Sequence, residues 1–376
     1  MSKNLEIPRQ YENQRVFSLD AIRAIATICV IIVHTHFLVF SPDSHNVFYS
    51  FFAVIGNVGV PMFVMLTGYL MFHRNYEDKE YLQKYLKRNL FPLFVAYEFW
   101  LIAQNISRYT GVVPEPQKWA DVLKAALFMG DTAPHLWYLP LALGLYLGLP
   151  FFAVAYEKIS LLRFKKVFWA VLILSGVLIP TVGILAPYMG YNEDIHPVFR
   201  MNVFGAAVWG ESVWMVYLLA GHSIYKGKLK TLSASFLIIL GIILPLAVMV
   251  AFEYTGHKIY GNHHSFILLV LLSISMFEIL TRTERIFSGN SYRRYLVLKI
   301  SSVSFAIYMT HIFFGLAIFH LWESYNLPLP MGRMFNSLTA LLFYGGYLAI
   351  ILLITIILAV CLKRINFVKK YVFLMK

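Results

Sequence analysis

Residues 17–37 read FSLDAIRAIATICVIIVHTHF, an apolar run that carries Asp20, Arg23, Thr27 and His34. A charge at the centre of a membrane span costs on the order of 2.5–3.5 kcal/mol on insertion scales, so such groups turn towards a bundle interior. At about 100° per residue, with Arg23 as zero, Asp20 falls near 60°, Thr27 near 40° and His34 near 20°. One narrow helix stripe therefore holds all four. Arg23 and His34 are separated by about 16 Å along the axis. A guanidinium is a partner for phosphate or carboxylate, and a carboxylate beside it can orient it. An imidazole supplies acid–base or nucleophilic chemistry near neutral pH. The plainer alternative is that Arg23 snorkels to the surface with Asp20 as its partner, and that His34 is an interfacial histidine.

A second stripe lies late in the chain. Ser304, Tyr308 and His311 in SVSFAIYMTH (302–311) fall within about 60° on a helix. Its span runs in the same direction as the first, so His311 is expected at the depth of His34. Two polar stripes at one depth predict a shared polar cavity, although Ser and Tyr in spans also serve as interhelical hydrogen bonds.

The elements that must position these groups are transmembrane helices. Of 376 residues 59% are hydrophobic, 16% aromatic and only 14% charged. Mean hydropathy is +0.66. A soluble domain averages about 25% charged residues, so a soluble enzyme, a disordered chain, a collagen and a disulfide scaffold are excluded. The two cysteines, Cys29 and Cys361, lie in apolar runs and form no metal or disulfide pattern. Residues 1–15 have no signal-peptide character of their own. Continuous apolar runs of about 20 residues point to helices rather than a barrel. Ten are read, at 16–40, 47–72, 88–108, 136–156, 167–189, 204–225, 232–253, 264–281, 299–322 and 337–361. The expected fold is an all-α polytopic membrane protein with about ten spans, forming a single domain over residues 1–376.

Ten spans put both termini on one side. With the N-terminus inside, the inner segments carry 24 Lys and Arg and the outer ones 6, with Arg23 and Lys299 inside spans. Basic residues collect on the cytoplasmic side, so both termini are expected there, residues 362–376 as a basic tail. The net charge of +13 then needs no nucleic acid. Histidine runs the other way: His73 and His222 fall near the inner ends, and the other ten in the outer half. That asymmetry points to an outward-facing site. Segment 109–135, the longest outside a span, is expected to be a loop or short amphipathic helix.

Further groups have two readings each. Lys84, Lys87 and Arg88, just inside the third span, suit anionic headgroups or a phosphorylated ligand. His135 and Trp137 open the fourth span from outside, as interface anchors or as a surface on which a sugar stacks. Gly56, Gly59, Pro61 and Gly68 in the second span allow close helix packing or leave room for a channel. There is no HExxH, no P-loop and no GxSxG elbow, and the adjacent His263–His264 is a weak metal signal.

The stretch LDAIRAIATICVIIVH (19–34) resembles the opening signature of the membrane acyltransferase-3 family, with the same Arg-to-His spacing. NVGVPMFVMLTGYLMF (57–72), YLKRNLFPLF (85–94), HLWYL (135–139) and SVSFAIYMTH (302–311) are similar to later motifs of that family. Thr67 stands where the family's glycine–tyrosine–leucine motif usually has Ser, and keeps the hydroxyl. The motif set is closest to bacterial inner-membrane enzymes that O-acetylate surface polysaccharides such as enterobacterial common antigen. The resemblance implies transfer of an acyl group, with acetyl expected, from cytoplasmic acetyl-coenzyme A to a sugar hydroxyl of a surface or lipid-linked glycan. It implies His34, Arg23 and Asp20 as catalytic residues. Arg23, Lys84, Lys87 and Arg88 become donor-binding, and His135, Trp137, Ser304, Tyr308 and His311 acceptor-side. No metal or bound cofactor is implied. The rival from another class is a transporter of lipid-linked glycans or small anions; a third reading is a non-catalytic sensor on the same scaffold.

Overall fold

The computed structural model describes residues 16–40, 45–109, 136–159, 161–190, 212–257, 264–284, 291–324 and 338–375, with a few isolated positions between them. Among these the regular structure is helical. The helices are α1 (Phe17–Val39), α2 (Val47–Gly56), α3 (Gly59–Met71), α4 (Lys79–Tyr85), α5 (Phe91–Tyr109), α6 (Tyr138–Lys158) and α7 (Leu162–Ile173). They continue with α8 (Ile179–Leu185), α9 (Val213–Tyr225), α10 (Leu244–Tyr254), α11 (Ile267–Arg282), α12 (Ser291–Ser302), α13 (Ser304–Ser324) and α14 (Leu338–Leu362).

Among the described residues six helical segments are long and apolar enough to cross a membrane: Phe17–Val39, Val47–Met71, Tyr138–Lys158, Leu162–Met189, Ala234–Tyr254 and Leu338–Leu362. The chain is thus a polytopic helical membrane protein. All ten expected segments contain helix, and four of them differ from a plain span. α5 carries Glu98, Gln104 and Asn105 in its length. α9 has 13 residues and α11 has 16. The ninth segment is not one straight helix: α12 and α13 meet at Val303 with a bend of 74°. Lys299, expected inside a span, therefore falls on α12 before the bend.

Local sequence explains the irregular turns. Leu86–Leu90, Leu174–Leu178 and Leu237–Ile243 are π-helical, and Pro92, Pro180 and Pro245 each stand two positions after the last π residue. Proline has no N–H to give to the preceding turn, and its ring crowds the carbonyl there. Widening that turn to i→i+5 bonds makes room for the ring while the apolar run continues.

α1 is the centre of the bundle. It packs against α2, α3, α11, α12, α13 and α14. Its first two amides, on Phe17 and Ser18, donate to the two carboxylate oxygens of Glu284 at 2.9 and 2.6 Å. A carboxylate at the positive end of a helix dipole is favourable, and it satisfies N–H groups that the helix leaves open. At the other end, Phe40 N–H donates to the His36 carbonyl at 2.9 Å.

The glycines of the second segment prove to be packing positions. A Cβ at Gly56 would lie 2.8 Å from the Val33 nitrogen, and one at Gly59 2.8 Å from the Ala26 carbonyl oxygen. A Cβ at Gly68 would collide with the Leu218 carbonyl of α9, and one at Gly221 with the Met65 carbonyl of α3. Backbone fills the space that a channel would need. Close approach through small residues is the usual substitute for a hydrophobic drive between membrane helices. Gly68→Ala and Gly221→Ala each force backbone apart and should cost about 1–3 kcal/mol. A lowered unfolding midpoint of the purified protein checks this, with Gly345→Ala, which meets nothing within 4 Å, as the neutral control.

Candidate active site

The two ends of α1 present different chemistry. Near the start, Arg23 Nη1 donates to Asp20 Oδ1 at 3.2 Å and to Ser301 Oγ at 3.1 Å. Ser301 Oγ in turn donates to Asp20 Oδ1 at 2.6 Å. The three groups close a triangle between α1 and the end of α12. Asp20 is 5% exposed, whereas the Arg23 side chain keeps 30%. Snorkelling alone does not describe this arrangement, because a second helix supplies the hydroxyl. Thr27 Oγ1 donates to the Arg23 carbonyl at 2.8 Å, so this member of the stripe satisfies itself on its own helix. Thr67, the hydroxyl of the second segment, donates to the Phe63 carbonyl of its own helix at 3.1 Å.

Lys84, Lys87 and Arg88 are exposed on α4 and the π turn after it. Between them sits buried Tyr85, whose hydroxyl donates to the Tyr146 carbonyl at 2.5 Å. This bond ties the basic segment to α6. No hydrogen bond joins the three basic side chains to Arg23.

Towards the other end of α1, the His34 ring lies beside His311 of α13, with centroids 5.4 Å apart and planes 43° apart. His311 is fully buried. Its Nδ1 bonds the carbonyls of Tyr308 at 2.6 Å and Ile307 at 3.2 Å. A carbonyl only accepts, so Nδ1 carries the proton and Nε2 is the lone-pair nitrogen in neutral His311. The expected equal depth of the two histidines is found. Ser304 opens α13, one turn after Ser301, and stands nearer the Arg23 end.

His34 opens on a cavity of about 60 Å³, lined also by Asn57, Trp137, His264 and Tyr308, with apolar walls from α1 and α3. A water needs about 10–15 Å³ of such space, so the cavity takes a group of a few heavy atoms. Of the acceptor-side residues, Trp137 and Tyr308 line it, and His311 stands behind His34. His135 lies outside the described residues, as do His196 and His263. No group of three or more metal-ligating side chains occurs among the described residues.

Sequence reasoning missed Ser301, Asn57 and the site role of His264. Ser301 precedes the bend, which an unbroken helix does not anticipate. Asn57 sits at the break between α2 and α3. His264 was legible only as half of a histidine pair.

The triangle yields a stability prediction. Asp20→Ala leaves a half-buried guanidinium with one hydroxyl partner. A fully buried pair costs about 3–5 kcal/mol to break; with Arg23 partly exposed, about 1–3 kcal/mol is expected. Ser301→Ala should cost about 1 kcal/mol, the net value of one hydrogen bond. Unfolding midpoints of the two single variants and the double variant measure this, and the double should be less than additive because the partners are shared.

A family model described as an acyltransferase domain, that of the acyltransferase-3 family, matches residues 16–360. An amino-acid racemase of Enterococcus faecalis is 26% identical over 193 residues, which are 51% of this chain and 24% of the racemase. The chain thus covers about a quarter of that relative's length. No solved structure matches the chain. With the matched region taking in α1 through most of α14, and so both ends of the Arg23–His34 stripe, the chain belongs to the acyltransferase-3 family.

Proposed function

We propose that the protein is a membrane O-acetyltransferase that moves acetyl from cytoplasmic acetyl-coenzyme A to a sugar hydroxyl of a surface or lipid-linked glycan. The observation that carries the reading is the cavity at His34, on the same helix as the Asp20–Arg23–Ser301 triangle. In this reading the chain crosses a bacterial inner membrane ten times with both termini in the cytoplasm. The excess of basic residues in the inner segments supports that orientation.

The donor approaches from the cytoplasmic side. Lys84, Lys87 and Arg88 meet its phosphates, as point charges and a bidentate fork suit phosphate. Arg23, held by Asp20, meets polar groups along the donor's arm, whose thioester end reaches on towards His34. At the opposite end the acceptor hydroxyl enters the cavity beside Trp137 and Tyr308. His34 takes the hydroxyl proton as the oxygen–acyl bond forms. The carbon–sulfur bond breaks, and the proton ends on the thiolate of coenzyme A. His311 backs His34, its tautomer set by the Tyr308 carbonyl, and Ser304 belongs to the Arg23 end. No metal takes part; the coenzyme is a substrate. The racemase name of the Enterococcus faecalis relative is not carried over, since about three quarters of that protein lies outside the match.

The experiment is acetyl-coenzyme A turnover by the purified full chain in lipid, with and without saccharide. His34→Ala should lower turnover by about 10²–10⁴, the range of a general base. Arg23→Ala should lower kcat/KM for the donor, and Arg23→Lys should not restore it, because the planar fork is lost. Labelled acetyl trapped on His34 in a single turnover would mark a two-step transfer, and its absence a direct one. Saccharide or anion movement across the bilayer with the thioester intact would replace the reading by a transporter.

A further inference from the structure

His264 stands on a turn that its neighbours hold from several sides. The Tyr217 hydroxyl of α9 donates to the His264 carbonyl at 2.8 Å. Thr181 of α8 donates from Oγ1 to the Ser265 carbonyl at 3.4 Å and accepts the Ile267 N–H at 2.9 Å. Ile267 begins α11, so the hydroxyl also satisfies an amide that the helix start leaves open. A turn between spans would ordinarily be among the less constrained parts of a chain. This one is anchored to two other helices through their hydroxyls.

The anchoring aims a side chain. The His264 ring is 4.9 Å from Trp214 and 5.4 Å from Trp137, nearly parallel to the latter at 29°. The two tryptophans lie 5.6 Å apart, so the three rings make a corner. Trp214 and His264 are each 5% exposed, while Trp137 is only half-buried. Trp137 is therefore the most accessible of the three rings, and His264 borders the same cavity as His34. Two imidazoles from separate elements on a cavity of about 60 Å³ are more than one proton transfer needs.

We infer that His264 is an acceptor-binding residue: it holds the hydroxyl oxygen of a saccharide whose ring lies against Trp137, and so turns the O–H towards His34. This rests on the acyl-transfer reading above and deepens it. The cavity admits the hydroxyl and its carbon, and the ring stays at the aromatic face outside. An imidazole N–H donates to a lone pair of the incoming oxygen, which leaves the oxygen's own hydrogen for the base. Such orientation acts through geometry and moves no proton itself. Thr181 and Tyr217 are positioning residues, since they touch the turn and not the acceptor.

The test uses the full chain in lipid nanodiscs with acetyl-labelled coenzyme A and methyl N-acetyl-β-D-glucosaminide as the probe saccharide. Two products are counted, free acetate and acetylated probe. In His264→Ala the ratio of probe acetylation to hydrolysis should fall at least tenfold, with the larger part in the KM for probe. His264→Gln should recover part of the loss, because its amide can donate at a similar place. Thr181→Val, which leaves the ring in place and loosens only its turn, should fall between wild type and His264→Ala. Unchanged partition and unchanged KM in all three variants would overturn the inference, as would equal loss of both products. Wild-type protein that releases acetate but never acetylates the probe would also overturn it and leave acyl transfer standing. Wild-type protein that leaves the thioester intact removes the underlying reading and this inference with it.

Discussion

A guanidinium inside an apolar bundle has to be met by partners on protein, and the arrangement around α1 answers that requirement. Asp20 on the same helix supplies the counter-charge, but one carboxylate leaves lone pairs of its own to satisfy. Ser301 closes the set, donating to Asp20 and accepting from Arg23. To bring Ser301 there, the chain of α12 must reach α1 and then turn into α13, and the 74° bend follows at Val303. Glu284, on the segment before α12, caps the first amides of α1 from the same side. α1 is therefore held from its N-terminal end by polar contacts and along its length by close packing. At Gly56 and Gly59 the second segment comes near enough to α1 that no side chain fits between them.

A helix so held works as a spacer. Its rise of about 1.5 Å per residue sets the separation of Arg23 and His34 near 16 Å, whatever happens in the loops. The Arg23 end keeps part of its side chain open, while the His34 end faces a small cavity. A cavity of this size leaves little room for bulk water around the imidazole.

Much of this was legible from residue types and period. The Asp20–Arg23–His34 stripe, the equal depth of His34 and His311, and a cavity shared by the first and ninth segments follow from helical geometry and the cost of charge in lipid, whereas Trp137 was legible only as an interface aromatic or a stacking surface. The parts that escaped share a physical cause: they depend on breaks. Ser301 reaches Asp20 only because α12 bends, and an unbroken ninth span places Lys299 in a span instead. Asn57 lines the cavity at the interruption between α2 and α3. His264 depends on Tyr217 and Thr181, residues 47 and 84–86 positions away from the atoms that they hold, which no local pattern encodes. The glycines had two readings, and only the position of the Leu218 and Met65 carbonyls decides for packing.

The geometry of Arg23 also explains how a paired cation can remain useful. Both bonds that anchor it run from Nη1, to Asp20 and to Ser301. Arginine has five donors in a planar fork, and fixing one nitrogen fixes the plane of the rest. The anchoring bonds leave Nη2 and Nε unengaged, oriented by the same plane, on a side chain that keeps 30% of its surface. An ammonium in its place would use its rotatable donors on Asp20 and Ser301 and present no second edge. The pair is thus a support for the guanidinium rather than its neutralisation, and the choice of arginine over lysine at this position follows from the shape of the group more than from its charge.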